Sequence, residues 1–160
     1  VAMMNGFKKA KILSYDAQSR TAKIHIPGLT DGASTGLTAT FAYPVGDSDK
    51  DTEREILEGE DVYIFFENNE QSRPVIAFYS SHSKGAVVDT RRIRQENIEL
   101  LARSKATIEA PSIELRGETK ITGNEQVTGN VIVGSGATGV FSNVFGKTLT
   151  IADGIVIQIS

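Results

Sequence analysis

The chain has no cysteine and no tryptophan, and only two histidines and four prolines among its 160 residues. Without cysteine there is no disulfide framework, no thiolate nucleophile and no Cys-based zinc site. The histidines, His25 and His82, form neither an HExxH nor a His-x-His pair, so a His-based metal site would need symmetry-related copies of one residue. No G-x-S-x-G nucleophile elbow is present, and VGSGATG (133–139) lacks the Lys-Ser/Thr of a phosphate loop. Positive charge is also scarce. The net charge is −3 and the pI about 5.4, which sets no global field for nucleic acid or anionic lipid. No apolar run approaches the ~20 residues of a membrane helix, and VAMMNGFKK lacks the apolar stretch of a signal peptide. The expectation is a soluble chain made without a secretion signal, with no catalytic residue, no cofactor and no nucleic-acid partner.

Aromatic residues are missing from most of the second half. Phe7, Tyr15, Phe41, Tyr43, Tyr63, Phe65, Phe66, Phe78 and Tyr79 precede Ser80, and only Phe141 and Phe145 follow it. Aromatics are the largest core fillers, so a conventional core is expected only in the first half. There, short β-like runs alternate with turn signals, and strands are predicted at 10–14, 21–26, 38–43, 61–67 and 74–80. In VYIFFE, Val62, Ile64 and Phe66 share one side and Tyr63 and Phe65 the other, which suits a closed barrel. DKDTEREILEGE predicts a short helix from Asp51/Thr52 to a stop at Gly59. Five strands with a helix between the third and fourth is the order of an OB-fold.

The segment SSHSKGAVVDTRRIRQEN reads as a linker whose end suits a strand or a helical face, with strand favoured by the alternation downstream. Arg91, Arg92, Arg94, Arg103 and Lys105 have no interleaved aromatics and read as a solvated collar rather than a base-stacking platform. From Ile98 to Ala110 small or apolar residues alternate with polar ones. After Pro111 the phase shifts by one and continues from Ile113 through Val133, with Glu125 as the one charged residue on the apolar phase. A single strand over 113–133 would span ~70 Å at ~3.3 Å per residue, so the segment must bend or wind. Within it Leu115, Ile121, Val127 and Val133 recur every six residues, as do Gly117, Gly123 and Gly129. A fixed short period points to a β-helix. The order aliphatic-x-Gly differs from the acyltransferase hexapeptide.

One chain carries too few repeats to enclose a core. Several copies wound together would share an apolar axis, and threefold symmetry closes a triangular section. Glu109, Glu114, Glu118 and Glu125 are nominal candidates for glycoside hydrolysis, but most alternate with the apolar face and are expected outward. From 131 to 160 the only charges are Lys147 and Asp153. Ala152-Asp153-Gly154 predicts a hairpin between TLTI and IVIQI, and so apolar a tail is expected to be buried between subunits.

AKILSYDAQSRTAKIHIPGL and GEDVYIFFENNEQSRPVIAFYSS resemble the two ends of the OB domain of bacteriophage baseplate central spikes. IELLARSKATIEAPSIELRGETKITGNEQVTGN is similar to that family's β-helical stem, and GKTLTIADGIVIQI to its tip hairpin. The resemblance covers nearly the whole chain. It implies an all-β fold, an N-terminal OB-fold barrel followed by an intertwined triple-stranded β-helix in a homotrimer. The parts would be an OB domain (1–84), a linker or collar (85–97), a stem (98–136) and a tip (137–160). It further implies a non-enzymatic virion protein at the tip of a contractile tail baseplate, docked to the tail hub through the OB domain, that punctures the host outer membrane. Related spikes serve type VI secretion. Some relatives hold an apical iron with a His-x-His motif, which this chain lacks. The expected axis residues are Leu115, Gly117, Ile121, Gly123, Val127, Gly129, Val131, Val133, Ile151, Ile155 and Ile157. The alternatives are a β-helical enzyme acting on glycan and an OB-fold binding module with an oligomerisation stem.

Overall fold

The structure, a computed structural model, describes residues 5–132 and 134 in full, together with the backbone of three strands beyond them. Two compact units divide between Ser104 and Lys105.

The first unit is a closed five-stranded barrel. Its strands are β1 (Lys8–Asp16), β2 (Thr21–His25), β3 (Leu37–Phe41), β4 (Asp61–Phe66) and β5 (Pro74–Tyr79), and they close in the order β1-β2-β3-β5-β4. The contact between β3 and β5 is parallel and the others are antiparallel, an order compatible with the OB-fold. Each strand lies within about three residues of its predicted span, because the period-two pattern is the one the barrel wall needs. Strand β1 serves two neighbours. Lys8–Lys11 pair with β4, Lys11–Asp16 pair with β2, and an irregularity between Ile12 and Ser14 separates most of the two pairings. A bulge there bends the strand around the barrel corner.

Alternation along the strands sends Ala10, Ile12, Ala22, Ile24, Ala39, Val62, Ile64, Phe66 and Ile76 into the core, with Leu29, Leu37, Phe41 and Ile56 packed against it. Tyr63 and Phe65 take the other face, where they meet Phe7 and Phe78 outside the barrel. Gly36 is required twice over. It has φ +62, and a Cβ there would lie 2.3 Å from the Ile24 carbonyl oxygen and 2.9 Å from Leu13 Cδ1.

The expected helix over 51–59 does not form, and the described residues contain no α-helix. Residues 44–60 run instead as an irregular strap. A helix this short is marginal in water, and two of its carbonyls, with that of Lys50 just before it, are taken by donors from elsewhere. Arg20 Nη2 donates to the Lys50 and Thr52 oxygens, and Gln95 Nε2 donates to the Glu53 oxygen at 2.8 Å. Gly59 does end the segment as expected of a stop. It has φ +84, and its N–H donates to the Ile12 oxygen at 2.8 Å. Residues 81–104, which include the expected linker (85–97) and the start of the expected stem (98–104), are neither helix nor strand, so the strand favoured there does not form in the single chain.

In the second unit residues 105–132 form no strand, and every one of them is exposed. The strands β6 (Gly139–Ser142), β7 (Thr148–Ala152) and β8 (Ile155–Ile159) build an antiparallel sheet in the order β6-β7-β8. Ala152 pairs with Ile155, so β7 and β8 form the expected hairpin around Asp153-Gly154. Those two turn residues lie outside the described residues, as do Val144, Phe145 and most of 133–139.

Candidate functional site

Two regions carry side-chain arrangements beyond the barrel core, the strap with the linker beside it and the stem. The strap is positioned from the turn between β1 and β2. There Asp16 accepts from the Gln18 N–H at 3.0 Å and from Ser19 Oγ at 2.7 Å. These bonds, the Ser19 bond foremost, hold the Asp16 carboxyl below the usual range. The turn ends with Arg20 in the left-handed region at φ +52, from which its guanidinium reaches the strap carbonyls. Glu53 then accepts from the Tyr43 hydroxyl, and Arg54 pairs with Asp47 at 2.7 Å.

Burial, followed by the hydrogen bond and the charge of Glu53, pushes the Tyr43 phenol up to about 12. Tyr15 stands edge-on to Phe41 at a 5.8 Å centroid distance. Its hydroxyl is buried without a well-placed hydrogen-bond partner among the described residues, and burial with the Glu53 charge raises its pKa as well. Between the strap and 93–101 lies a groove of about 830 Å³. Tyr43, Ile93, Ile98, Leu100 and Leu101 give it apolar surface, and Asp47, Asp49, Glu53 and Glu99 against Arg54 make it acidic.

A second cluster follows β2. Thr30 Oγ1 stands 2.9 Å from His25 Nδ1, and His25 Nε2 stands 3.5 Å from Asp31 Oδ1. The order Thr-His-Asp resembles a nucleophile with its base and orienting acid. Thr30 is only 6% exposed, however, and its oxygen already accepts from the Ile26 N–H at 2.8 Å and lies 3.3 Å from the Ile26 oxygen. The Gly28 N–H donates to Asp31 at 3.0 Å. These bonds staple the turn 26–31, and the buried hydroxyl faces backbone rather than a substrate space. Sequence reading did not join these residues, although the H-x4-T-D spacing over a Pro-Gly turn is visible. Among the described residues no three His, Cys, Asp or Glu side chains gather where a metal ion could be held. Among them, too, no helix is long and apolar enough to cross a membrane.

The stem shows the six-residue rule in its backbone. The chain bends at Pro111, Gly117, Gly123 and Thr128–Gly129. Gly117 and Gly123 share one conformation, φ +121 and +123, which L side chains rarely adopt. A Cβ at Gly117, Gly123 or Gly129 would meet nothing within 4 Å in the single chain, so at Gly117 and Gly123 it is backbone conformation that calls for glycine there. The expected axis residues are not brought together within one chain. Leu115 is 70% exposed, Ile121 54%, Val127 47% and Val131 52%. Val133 lies outside the described residues. Ile151 is in β7 and Ile155 and Ile157 are in β8, with their side chains outside the description. Of the nominal catalytic carboxylates, Glu114 is held by Arg116 in a two-point pair at 2.7 and 2.9 Å, and Glu109, Glu118 and Glu125 are exposed.

No protein-family model matches the chain, and no match was found among curated proteins.

Proposed function

We propose that the chain is one protomer of a homotrimeric, non-enzymatic spike that punctures the outer membrane of a bacterial host from the tip of a contractile tail. The observation that carries this reading is the stem. Its apolar residues alternate over more than twenty positions and its backbone bends every six, yet Leu115, Ile121, Val127 and Val131 all face solvent in the single chain. Full burial of such side chains contributes about 1.5–3 kcal/mol each. A sequence that repeats them on one face calls for a surface to cover them, and identical chains wound about a common axis supply it. In that arrangement Gly117 and Gly123 form the corners of a triple-stranded β-helix, the aliphatic residues meet their symmetry mates, and the strands satisfy one another's backbone groups. A puncturing device needs stiffness along its axis, and force comes from the contracting tail. The barrel, as an OB-fold, docks to the tail hub, and the hairpin β7–β8 belongs to the tip. The resemblance of the chain to baseplate spikes supplies the tail, the hub and the membrane target in this proposal.

The exterior ring cluster does not favour the alternative reading, an OB-fold binding module for single-stranded nucleic acid. Phe7 lies 6.5 Å from Tyr63, 6.3 Å from Phe65 and 5.1 Å from Phe78, beside Lys9. The interplanar angles run from 49° to 88°, so the rings pack edge-on or tilted against one another instead of offering parallel faces to bases.

Antibodies raised against 137–160, applied to purified contractile tails under the electron microscope, test the assignment. The expected result is one label at the distal end of each tail. Absence of label from the tails, or saturable binding of oligothymidine by the purified chain, contradicts it.

A further inference from the structure

The acidic groove beside the strap has an occupant of complementary chemistry within the sequence itself. The linker passes along the strap with Gln95 tied to Glu53, and its residues Ile93, Gln95 and Asn97 line the groove, followed by 98–101. Arg92 and Arg94, on the alternate positions, do not line it. Together with Arg91 they are exposed and make no hydrogen bond or ion pair among the described residues. Three guanidiniums within four residues are therefore left unneutralised. The groove itself holds four carboxylates, Asp47, Asp49 and Glu53 of the strap and Glu99, and one arginine, Arg54, which pairs with Asp47. The linker arginines lie beside this acidic groove but do not line it, so one chain cannot satisfy both without turning the linker over and releasing Gln95.

We propose that the Arg92 and Arg94 side chains of one copy enter the acidic groove of a second copy, placing them against Asp49 and Glu99. The contact is heterologous, because the donor surface and the acceptor surface differ, and such contacts close into rings when the rotation permits. It rests on the trimer proposed above and adds a separate element to it, a charged clasp that precedes the apolar stem in sequence. Each copy gives its arginines to the next and receives those of the previous one. The apolar part of the groove, Leu100 and Ile98, lies where the alternating pattern begins, so the clasp continues into the stem. A free acidic groove would instead suit a cationic peptide from another protein, and the test separates that occupant from a second copy.

The chain contains no cysteine, so introduced pairs can be read without background. In the 160-residue chain Arg94→Cys is combined in turn with Asp49→Cys and with Glu99→Cys, treated with a short bismaleimide, and run on a denaturing gel. A disulfide would require the two Cα atoms to approach within about 7 Å, closer than an arginine–carboxylate pair brings them, and the bismaleimide spans the wider gap. At least one pair is expected to convert most of the chain to covalent trimer, whereas each single variant gives no species beyond dimer. Light scattering on the same samples keeps the two proposals apart. A trimeric mass with no covalent trimer from either pair overturns the clasp and leaves the trimer standing, and a monomeric mass overturns both. Charge reversal gives a second readout. Arg92→Glu with Arg94→Glu lowers the melting temperature of the assembly at low salt, and the deficit shrinks at high salt as screening weakens the clasp. A melting temperature unchanged at low salt contradicts it.

Discussion

Gly36 and Tyr43 show how single residues fix the barrel and its strap. At Gly36 both the left-handed φ and the approach of the Ile24 carbonyl exclude a side chain. Gly36→Ala is expected to destabilise the protein by about 2 kcal/mol or more in chemical unfolding, since it combines backbone strain with a steric clash. Tyr43 and Tyr15 set an alkaline limit. Both phenols have pKa values raised above the ordinary 10.0, Tyr43 to about 12, with burial the largest cause. The folded state therefore keeps protons that the unfolded chain gives up. Their contribution is intact below pH 10 and is lost as pH rises from about 10 towards 12. Tyr43 remains half exposed, so the loss is modest. A melting curve measured from pH 9 to pH 12 should fall across this window, and Tyr43→Phe should flatten part of the fall. A slope unchanged in that variant would show that Tyr43 is not a source.

Among the elements, the five barrel strands were legible because their alternation is local and matches the wall they build. The strap was not. Its sequence has a helix start and a glycine stop, but Arg20 and Gln95, some thirty and forty residues away, take the carbonyls a helix would use. Such non-local donors leave no mark in the 51–59 window. The turn cluster of His25, Thr30 and Asp31 is local, and its spacing over the Pro-Gly turn is visible in sequence, but no single residue type there marks it out. In the stem the six-residue spacing was visible in sequence, and the shared φ of Gly117 and Gly123 explains the glycines by conformation. Gly123→Ala is thus expected to lower the melting temperature even if chains have room for a methyl group, while in the proposed trimer Ile121→Asp should abolish assembly by placing three charges on the axis. Glu125 stands on the apolar phase and is the only charged residue between Lys120 and Lys147. Replacing it by Val removes the same kind of burden, and a rise of about 4 °C or more in melting temperature is expected. A fall on Glu125→Val would place that residue on the outer face and shift the register.

For the molecule as a whole, the two units differ in what one chain can complete. The barrel closes on itself and buries an aliphatic core. The stem repeats a pattern whose apolar face one chain cannot cover, and the proposed trimer, its collar clasp and its stiffness all come from covering it. Light scattering on the 160-residue chain at micromolar concentration tests this most directly. The account predicts a mass three times the 17.2 kDa of one chain, retained on dilution, and a stable species at the mass of a single chain contradicts it.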